Sequence, residues 1–340
     1  MSSATHAADP VARSAPSIAE LTRLARRDME GVDGLIRNRM QSPVPVIPAL
    51  AEHLIGGSAK RLRPLLTIAA ARLAGAKDDA CLNLAAAVEF IHTATLLHDD
   101  VIDSSELRRG KVAAHLIWGA PASVLVGDFL FARSFELMVE AGSMPALEIL
   151  ARASRVIAEG EVLQLTRAHD LDLPQETYLE IIGAKTAELF AAASEAGAVS
   201  AGAGEGDCAR LRRFGQNLGL AFQLVDDALD YSGASDTLGK NPGDDFREGK
   251  ATLPLILAVA RTGAEEQAFW ERTVGRREQT EADFERARTL ISGCGALEST
   301  LALAETYAVE AKAALSAFDG ASGWKVSMME LADFAVWRRM

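Results

Sequence analysis

AAAVEFIHTATLLHDDVID, residues 85–103, is a run of apolar and small residues that closes on three aspartates. Its apolar positions recur at three- and four-residue spacing and never alternate strictly, so the stretch reads as part of a helix over 79–103. The same rhythm continues along almost the whole chain, and strands are expected to be few or absent. Further helices are expected over 17–40, 46–55, 64–74, 121–140, 145–168, 175–203, 207–232, 252–262, 264–276, 280–292, 296–317 and 326–338. Ser17 and Glu20 read as a capping box, Thr280 and Asp283 as a weaker one, and Pro64 and Pro174 suit first helical turns. The fold class is all-α, a bundle of antiparallel helices. No linker-like composition divides residues 17–340, and no repeat is visible.

The totals bound the possibilities. With 340 residues, 49% of them hydrophobic, the chain can bury a substantial core. A formal charge of -12 argues against a nucleic-acid surface, because phosphate binding normally needs a net basic face. Any anion site must therefore be local. Cys81, Cys208 and Cys294 are widely spaced and form no CxxC pair, which suggests neither disulfides nor zinc and fits a reducing, cytoplasmic setting. Residues 1–16, rich in Ala, Ser and Pro, read as a disordered tail. No uninterrupted apolar stretch reaches the roughly 18 residues that span a bilayer, so no transmembrane segment is expected.

Asp99 and Asp103 are four apart and share a helix face, with Asp100 turned away by about 100°. Like charges at a helix C-terminus repel one another and oppose the helix dipole, so the arrangement costs stability unless a cation compensates. One such cluster is as readily a solvated helix end. A second, Asp226, Asp227 and Asp230 in FQLVDDALDYSG (222–233), closes another apolar helix in the same pattern. Two carboxylate claws on one bundle can face each other. Hard oxygen donors without Cys or paired His suit Mg²⁺, which shares its coordination with substrate phosphates.

Cations accompany the acids. Lys60 and Arg63 precede a helix starting near Pro64, where free N–H groups add to an anion site. Arg108 and Arg109 follow the first claw, Lys185 lies in GAKTAELF (183–190), and Lys240 and Lys250 bracket the loop after the second. His92, two turns before Asp99, could donate a hydrogen bond to an anion. Thr95 and Ala94, one turn before Asp99, are small and leave room for a hydrocarbon tail.

The stretches KRLRP (60–64), EFIHTATLLHDDVIDSSELRRGK (89–111), GAKTAELF (183–190), GLAFQLVDDALDY (219–231) and LGKNPGDDFREGKATLPL (238–255) resemble the trans-isoprenyl diphosphate synthases, the head-to-tail polyprenyl synthases. The wording around the first claw is most similar to bacterial octaprenyl, solanesyl and decaprenyl diphosphate synthases, which make quinone side chains. The resemblance implies antiparallel helices around a deep cavity, usually in a homodimer. It implies an allylic diphosphate, such as farnesyl diphosphate, held through two or three Mg²⁺ ions on Asp99, Asp103 and Asp226, with Asp100, Asp227 and Asp230 as ligands or supports. Arg108, Lys185 and Lys240 complete that socket, with Lys250 nearby. Isopentenyl diphosphate is held by Lys60, Arg63, His92 and Arg109, while Gln223 and Thr186 steady the cation and diphosphate. One departure is Ser58-Ala59, where the family commonly has glycines.

The resemblance further implies that small residues at Ala94 and Thr95 leave the tunnel open. The product is then long, about C40–C50, with a floor at Phe131, Phe135 or Met138. Alternatives are a shorter-chain (C15–C20) synthase, a non-catalytic partner subunit, an HD-type metal phosphohydrolase built on His98-Asp99, and a di-iron bundle built on Glu89 and His92.

Overall fold

The computed structural model describes residues 15–55, 61–232, 242–318 and 322–337. Their order begins α1 (Ala19–Arg39), α2 (Val46–Ile55), α3 (Leu62–Leu73) and α4 (Ala80–Ile102). A minimal hairpin, β1 (Leu107–Arg108) and β2 (Lys111–Val112), leads to α5 (Ala114–Trp118), α6 (Ala120–Glu140) and α7 (Met144–Thr166). Next, α8 (Gln175–Ile182) passes through a π turn, Gly183–Ala187, into α9 (Glu188–Ser200). Then come α10 (Glu205–Ser232), α11 (Asp244–Glu248), α12 (Leu253–Arg261) and α13 (Ala264–Trp270), which ends in a second π turn, Glu271–Gly275. The chain closes with α14 (Asp283–Gly293), α15 (Ala296–Ala314) and α16 (Gly323–Trp337).

Each helix expected from the apolar rhythm is present within a few residues. The five-residue helices α5 and α11 are too short to show a rhythm. Residues 1–14 of the expected tail lie outside the described residues. The Ser17–Glu20 capping box does not form: Ile18 takes the N-cap position, and Glu20 instead pairs with Arg23 at 2.6 Å. At Thr280–Asp283 only half a box forms, with Asp283 Oδ2 accepting from the Thr280 N–H at 2.7 Å.

α4 is buried along Leu84–Ile91 because α3, α6 and α9 pack around it. By length and mean composition it could cross a membrane, although Glu89, His92 and His98 interrupt its apolar sequence. Its covering is protein: 67% of its most apolar window is buried inside the bundle. α9 is likewise enclosed, by α3, α7 and α10. The close approach of α10 needs Gly215, since a Cβ there would lie 2.3 Å from the Phe190 carbonyl oxygen.

Candidate active site

Both aspartate helices end at one cavity of about 960 Å³, at the upper end of the ~300–1,000 Å³ usual for ligand pockets. Asp99, Asp103, Asp226, Asp227 and Asp230 line it, as do Arg63, His92, Thr95, Arg108, Arg109, Lys185, Thr186, Gln223 and Lys250. Residues scattered over almost two hundred positions thus converge on one space. Lys60, Lys240 and the Ser58-Ala59 departure lie outside the described residues. Asp100 and Ala94 do not line the cavity.

Of the two roles expected of Asp100, ligand or support, its contacts are those of a support. It is fully buried, and its Oδ1 accepts from Arg108 Nε at 2.7 Å and from the terminal guanidinium nitrogen at 2.5 Å. The carboxylate therefore sets the Arg108 side chain. Arg108 stands on β1, paired opposite Lys111. The two residues between the strands, Arg109 and Gly110, have φ of +53° and +75°, the left-handed pair that a tight hairpin turn requires. Arg109 is held there by a 3.2 Å bond from its guanidinium to the Leu54 carbonyl.

Lys185 and Thr186 are adjacent, and in a regular α-helix they would diverge by about 100°. The π turn widens the helix by one residue, and both line the cavity. Flanking helices clamp that turn closely: a Cβ on Gly160 of α7 would lie 2.7 Å from Ala184 Cβ. Lys185 Nζ donates to Glu161 Oε2 at 2.6 Å and to Gln164 Oε1 at 2.9 Å, and lies 3.8 Å from Asp99. Burial pushes the Glu161 carboxyl up to about 7 despite this lysine, and burial also raises Asp99. Motif reading missed Glu161 and Gln164. Their one signal is a Glu-x-x-Gln spacing that puts two polar residues on one face of α7.

A hydrogen-bonded chain supports the second aspartate motif. Tyr178 donates to Asp227 Oδ2 at 2.5 Å, Gln223 Nε2 donates to Asp227 Oδ1 at 2.7 Å, and Thr186 donates to Gln223 Oε1 at 2.8 Å. Burial, with Asp245 nearby, pushes Asp227 up to about 7. Asp230 accepts from the N–H groups of Gly243 and Asp245, at 3.1 and 3.2 Å. These two carboxylates thus organise α10, the π turn and the following segment. Lys250 Nζ meets Asp103 at 2.8 Å and Glu248 at 2.6 Å. Burial works against its charge, but Asp103, Asp245 and Glu248 outweigh that and hold it above the ordinary lysine value.

A second group of lining residues is basic. Arg63 stacks over Phe190 at 4.3 Å, and its Nε is buried without a hydrogen-bond partner. Burial lowers its pKa to about 10. His92 Nε2 lies 3.1 Å from the Arg63 guanidinium. A guanidinium only donates, so Nε2 accepts and the neutral ring carries its proton on Nδ1. Burial first, then Arg63, Arg109 and Arg108, hold His92 well below its usual pKa. Nε2 therefore positions Arg63, which leaves Nδ1 as the nitrogen able to donate to a ligand.

Apolar side chains complete the lining, among them Leu96, Phe190, Phe222, Ile181 and Ile182. Phe334 of α16 joins them, so the C-terminal helix contributes to the site. The expected floor residues do not line the cavity: Phe131 packs edge-on against Phe135 at 5.3 Å, and Met138 is buried in the core.

Two sequence alternatives fail on geometry. His98 Nε2 lies 3.2 Å from the Val124 carbonyl and 3.4 Å from Asp128, and does not line the cavity with Asp99 as an HD metal pair would. Glu89 is buried within the influence of Arg61, Arg63 and Arg109, and His92 faces Arg63, which is no environment for iron.

Residues 44–291 match the sequence profile of the polyprenyl synthetase family. The chain belongs to that family. This polyprenyl synthase is 42% identical over 322 residues to the octaprenyl diphosphate synthase of Escherichia coli (strain K12), covering 95% of this chain and 99% of that one. Its fold matches the crystal structure of a polyprenyl synthase from Caulobacter crescentus CB15 complexed with calcium and isoprenyl diphosphate. The identity there is 71% and the TM-score 0.94, over 96% of this chain and 100% of the other. A decaprenyl diphosphate synthase from Rhodobacter capsulatus matches at 49% identity and a TM-score of 0.91, over 95% and 100%. The protein is a prenyltransferase with the all-α architecture of these enzymes.

The donors present in this polyprenyl synthase fit a hard divalent ion. Asp99, Asp103 and Asp226 offer only oxygen. Among the described residues, no three acidic, histidine or cysteine side chains lie close enough to enclose an ion by themselves. A hard divalent ion takes one or two carboxylates and completes its coordination with water and substrate phosphate.

Proposed function

We propose that this polyprenyl synthase condenses isopentenyl diphosphate head-to-tail onto an allylic diphosphate, with farnesyl diphosphate as primer, Mg²⁺ as its ion and a product of about C40–C50 destined for quinone side chains. One observation carries this reading. Both aspartate motifs and two sets of cations, Lys185 with Lys250 and Arg63 with Arg109, line one cavity together with apolar side chains. Two diphosphates need two sockets. Asp99, Asp103 and Asp226 would hold Mg²⁺, which when bound supplies positive charge against the oxygens of the departing diphosphate.

The allylic C–O bond breaks with its electron pair going to diphosphate, and Arg108, Lys185, Lys240 and Lys250 stabilise that charge. The isopentenyl double bond attacks the allylic carbon, and a proton passes to the released diphosphate. Arg63, with Lys60, Arg109 and His92, holds isopentenyl diphosphate, and its unpartnered Nε suits an anion. The Thr186 and Gln223 dipoles steady the cation, and Phe190, Phe222, Ile181 and Ile182 exclude water. The proposed form is a cytoplasmic homodimer, and exposed apolar side chains on α5, α6 and the start of α7, among them Leu116, Ile117, Leu125, Phe135, Val139 and Met144, are ones a subunit interface would cover.

The test is incubation with labelled isopentenyl diphosphate, Mg²⁺ and primers of several lengths, followed by product sizing. Elongation abolished by EDTA and restored by Mg²⁺ is expected. Unimpaired turnover under chelation, or elongation only after addition of a second subunit, sinks the reading.

A further inference from the structure

Five non-glycine residues among those described have left-handed backbone: Arg61, Ser104, Arg109, His169 and Arg277, with φ between +43° and +67°. All five line the same cavity. A residue with a Cβ adopts this conformation at a free-energy cost, and such residues concentrate at functional sites. Arg61, Ser104 and Arg109 belong to the motif loops. His169 has a contact that accounts for it, with Nδ1 3.1 Å from the Gly249 carbonyl. Arg277 belongs to no motif.

The turn carrying Arg277 is fastened on both sides. The Arg276 N–H donates to Glu271 O, and the Glu278 N–H to Arg272 O, each at 2.9 Å. Gln279 Nε2 donates to Thr273 O at 2.9 Å and to Phe246 O at 2.8 Å, which docks the turn on α11. Asp245 and Glu248 of α11 line the cavity with Lys250, so the turn carrying Arg277 rests against an acidic part of the lining. The lysines there are already neutralised, Lys185 by Glu161 and Asp99, and Lys250 by Asp103 and Glu248. Arg277 is exposed and, among the described residues, makes no hydrogen bond or ion pair. Its neighbour Arg276 is 3.7 Å from Glu278 and does not line the cavity.

We propose that Arg277 is a further substrate-binding residue, whose guanidinium takes the diphosphate of the allylic substrate at the cavity mouth. A planar fork of donors matches phosphate oxygens, and an unpaired cation beside an acidic cluster gives an arriving trianion a favourable first contact. This assignment rests on the proposed function and names one contact within it.

The test is steady-state kinetics of Arg277→Ala, Arg277→Gly, Arg277→Lys and, as a control, Arg276→Ala, with farnesyl diphosphate and isopentenyl diphosphate varied separately. KM for farnesyl diphosphate should rise roughly ten-fold in the alanine and glycine variants, the loss expected for one charge-assisted contact. KM for isopentenyl diphosphate should hold, lysine should restore most of the affinity, and Arg276→Ala should match the wild type. Glycine accepts the backbone without strain, so a lost side chain is separated from a disturbed turn. Unchanged KM in both Arg277→Ala and Arg277→Gly, or an equal rise for both substrates, overturns the assignment while wild-type elongation stands. Absence of elongation in the wild type would instead remove the proposed function itself.

Discussion

Lys250 Nζ lies 2.8 Å from Asp103 Oδ2, joining two cavity-lining residues 147 positions apart. The lysine neutralises a carboxylate that a divalent ion would otherwise satisfy. Lys250→Met should leave Asp103, Glu248 and Asp245 facing one another without a counter-charge, lowering metal-free stability by about 1–3 kcal/mol. The rise in melting temperature on adding Mg²⁺ should exceed that of the wild type. Differential scanning fluorimetry with and without Mg²⁺ checks this, and an unaltered Mg²⁺ response would refute it.

Tyr178 is the hydroxyl donor to buried Asp227. Tyr178→Phe keeps the ring and removes the bond, at a cost of about 1–2 kcal/mol in stability. The second motif should lose its alignment, so kcat should fall by about ten-fold while KM for isopentenyl diphosphate holds. If kcat survives the substitution, the tyrosine only packs.

Gly249 has φ of +70°, and a Cβ there would lie 2.4 Å from His169 Nδ1. Gly249→Ala should destabilise by about 1–3 kcal/mol from backbone strain and the clash together. Adding His169→Ala should recover part of that loss by removing the clash, a coupling that a double-mutant cycle measures. Strict additivity would show that the two residues do not press on each other.

Thr95 lines the cavity, whereas Ala94 is buried in the core. Thr95→Phe should therefore shorten the product, read by mass spectrometry. Ala94→Phe should instead overpack the bundle, lowering stability by about 1–3 kcal/mol. Unchanged chain length in Thr95→Phe counts against the assignment.

Asp283 accepts from Arg272 at 2.6 and 3.0 Å and from Thr280, and these bonds hold its carboxyl below the usual range. A depressed folded-state pKa contributes stability above the unfolded value near 4, and that contribution is lost as pH falls through the folded one. Asp283→Asn should lower the melting temperature at pH 7, with the gap to wild type narrowing below pH ~4. A gap that is constant with pH would contradict the ionic origin.

The all-helical class, the helix positions and the identity of the two aspartate clusters were determined by the sequence alone. Apolar spacing is a local property of a helix, and a DDxxD pattern needs only four consecutive residues after its first. Tertiary packing decided what each acid does. Asp99 and Asp100 are neighbours with equal chemistry, yet one faces the cavity and the other is buried against Arg108. Glu161, Tyr178, His169, Arg277 and Phe334 entered the site the same way, carried there by helices and turns that no short motif describes. Spacing along the chain reveals which residues share a face, but burial and long-range contact determine which face meets the cavity, and those arise only when distant helices pack.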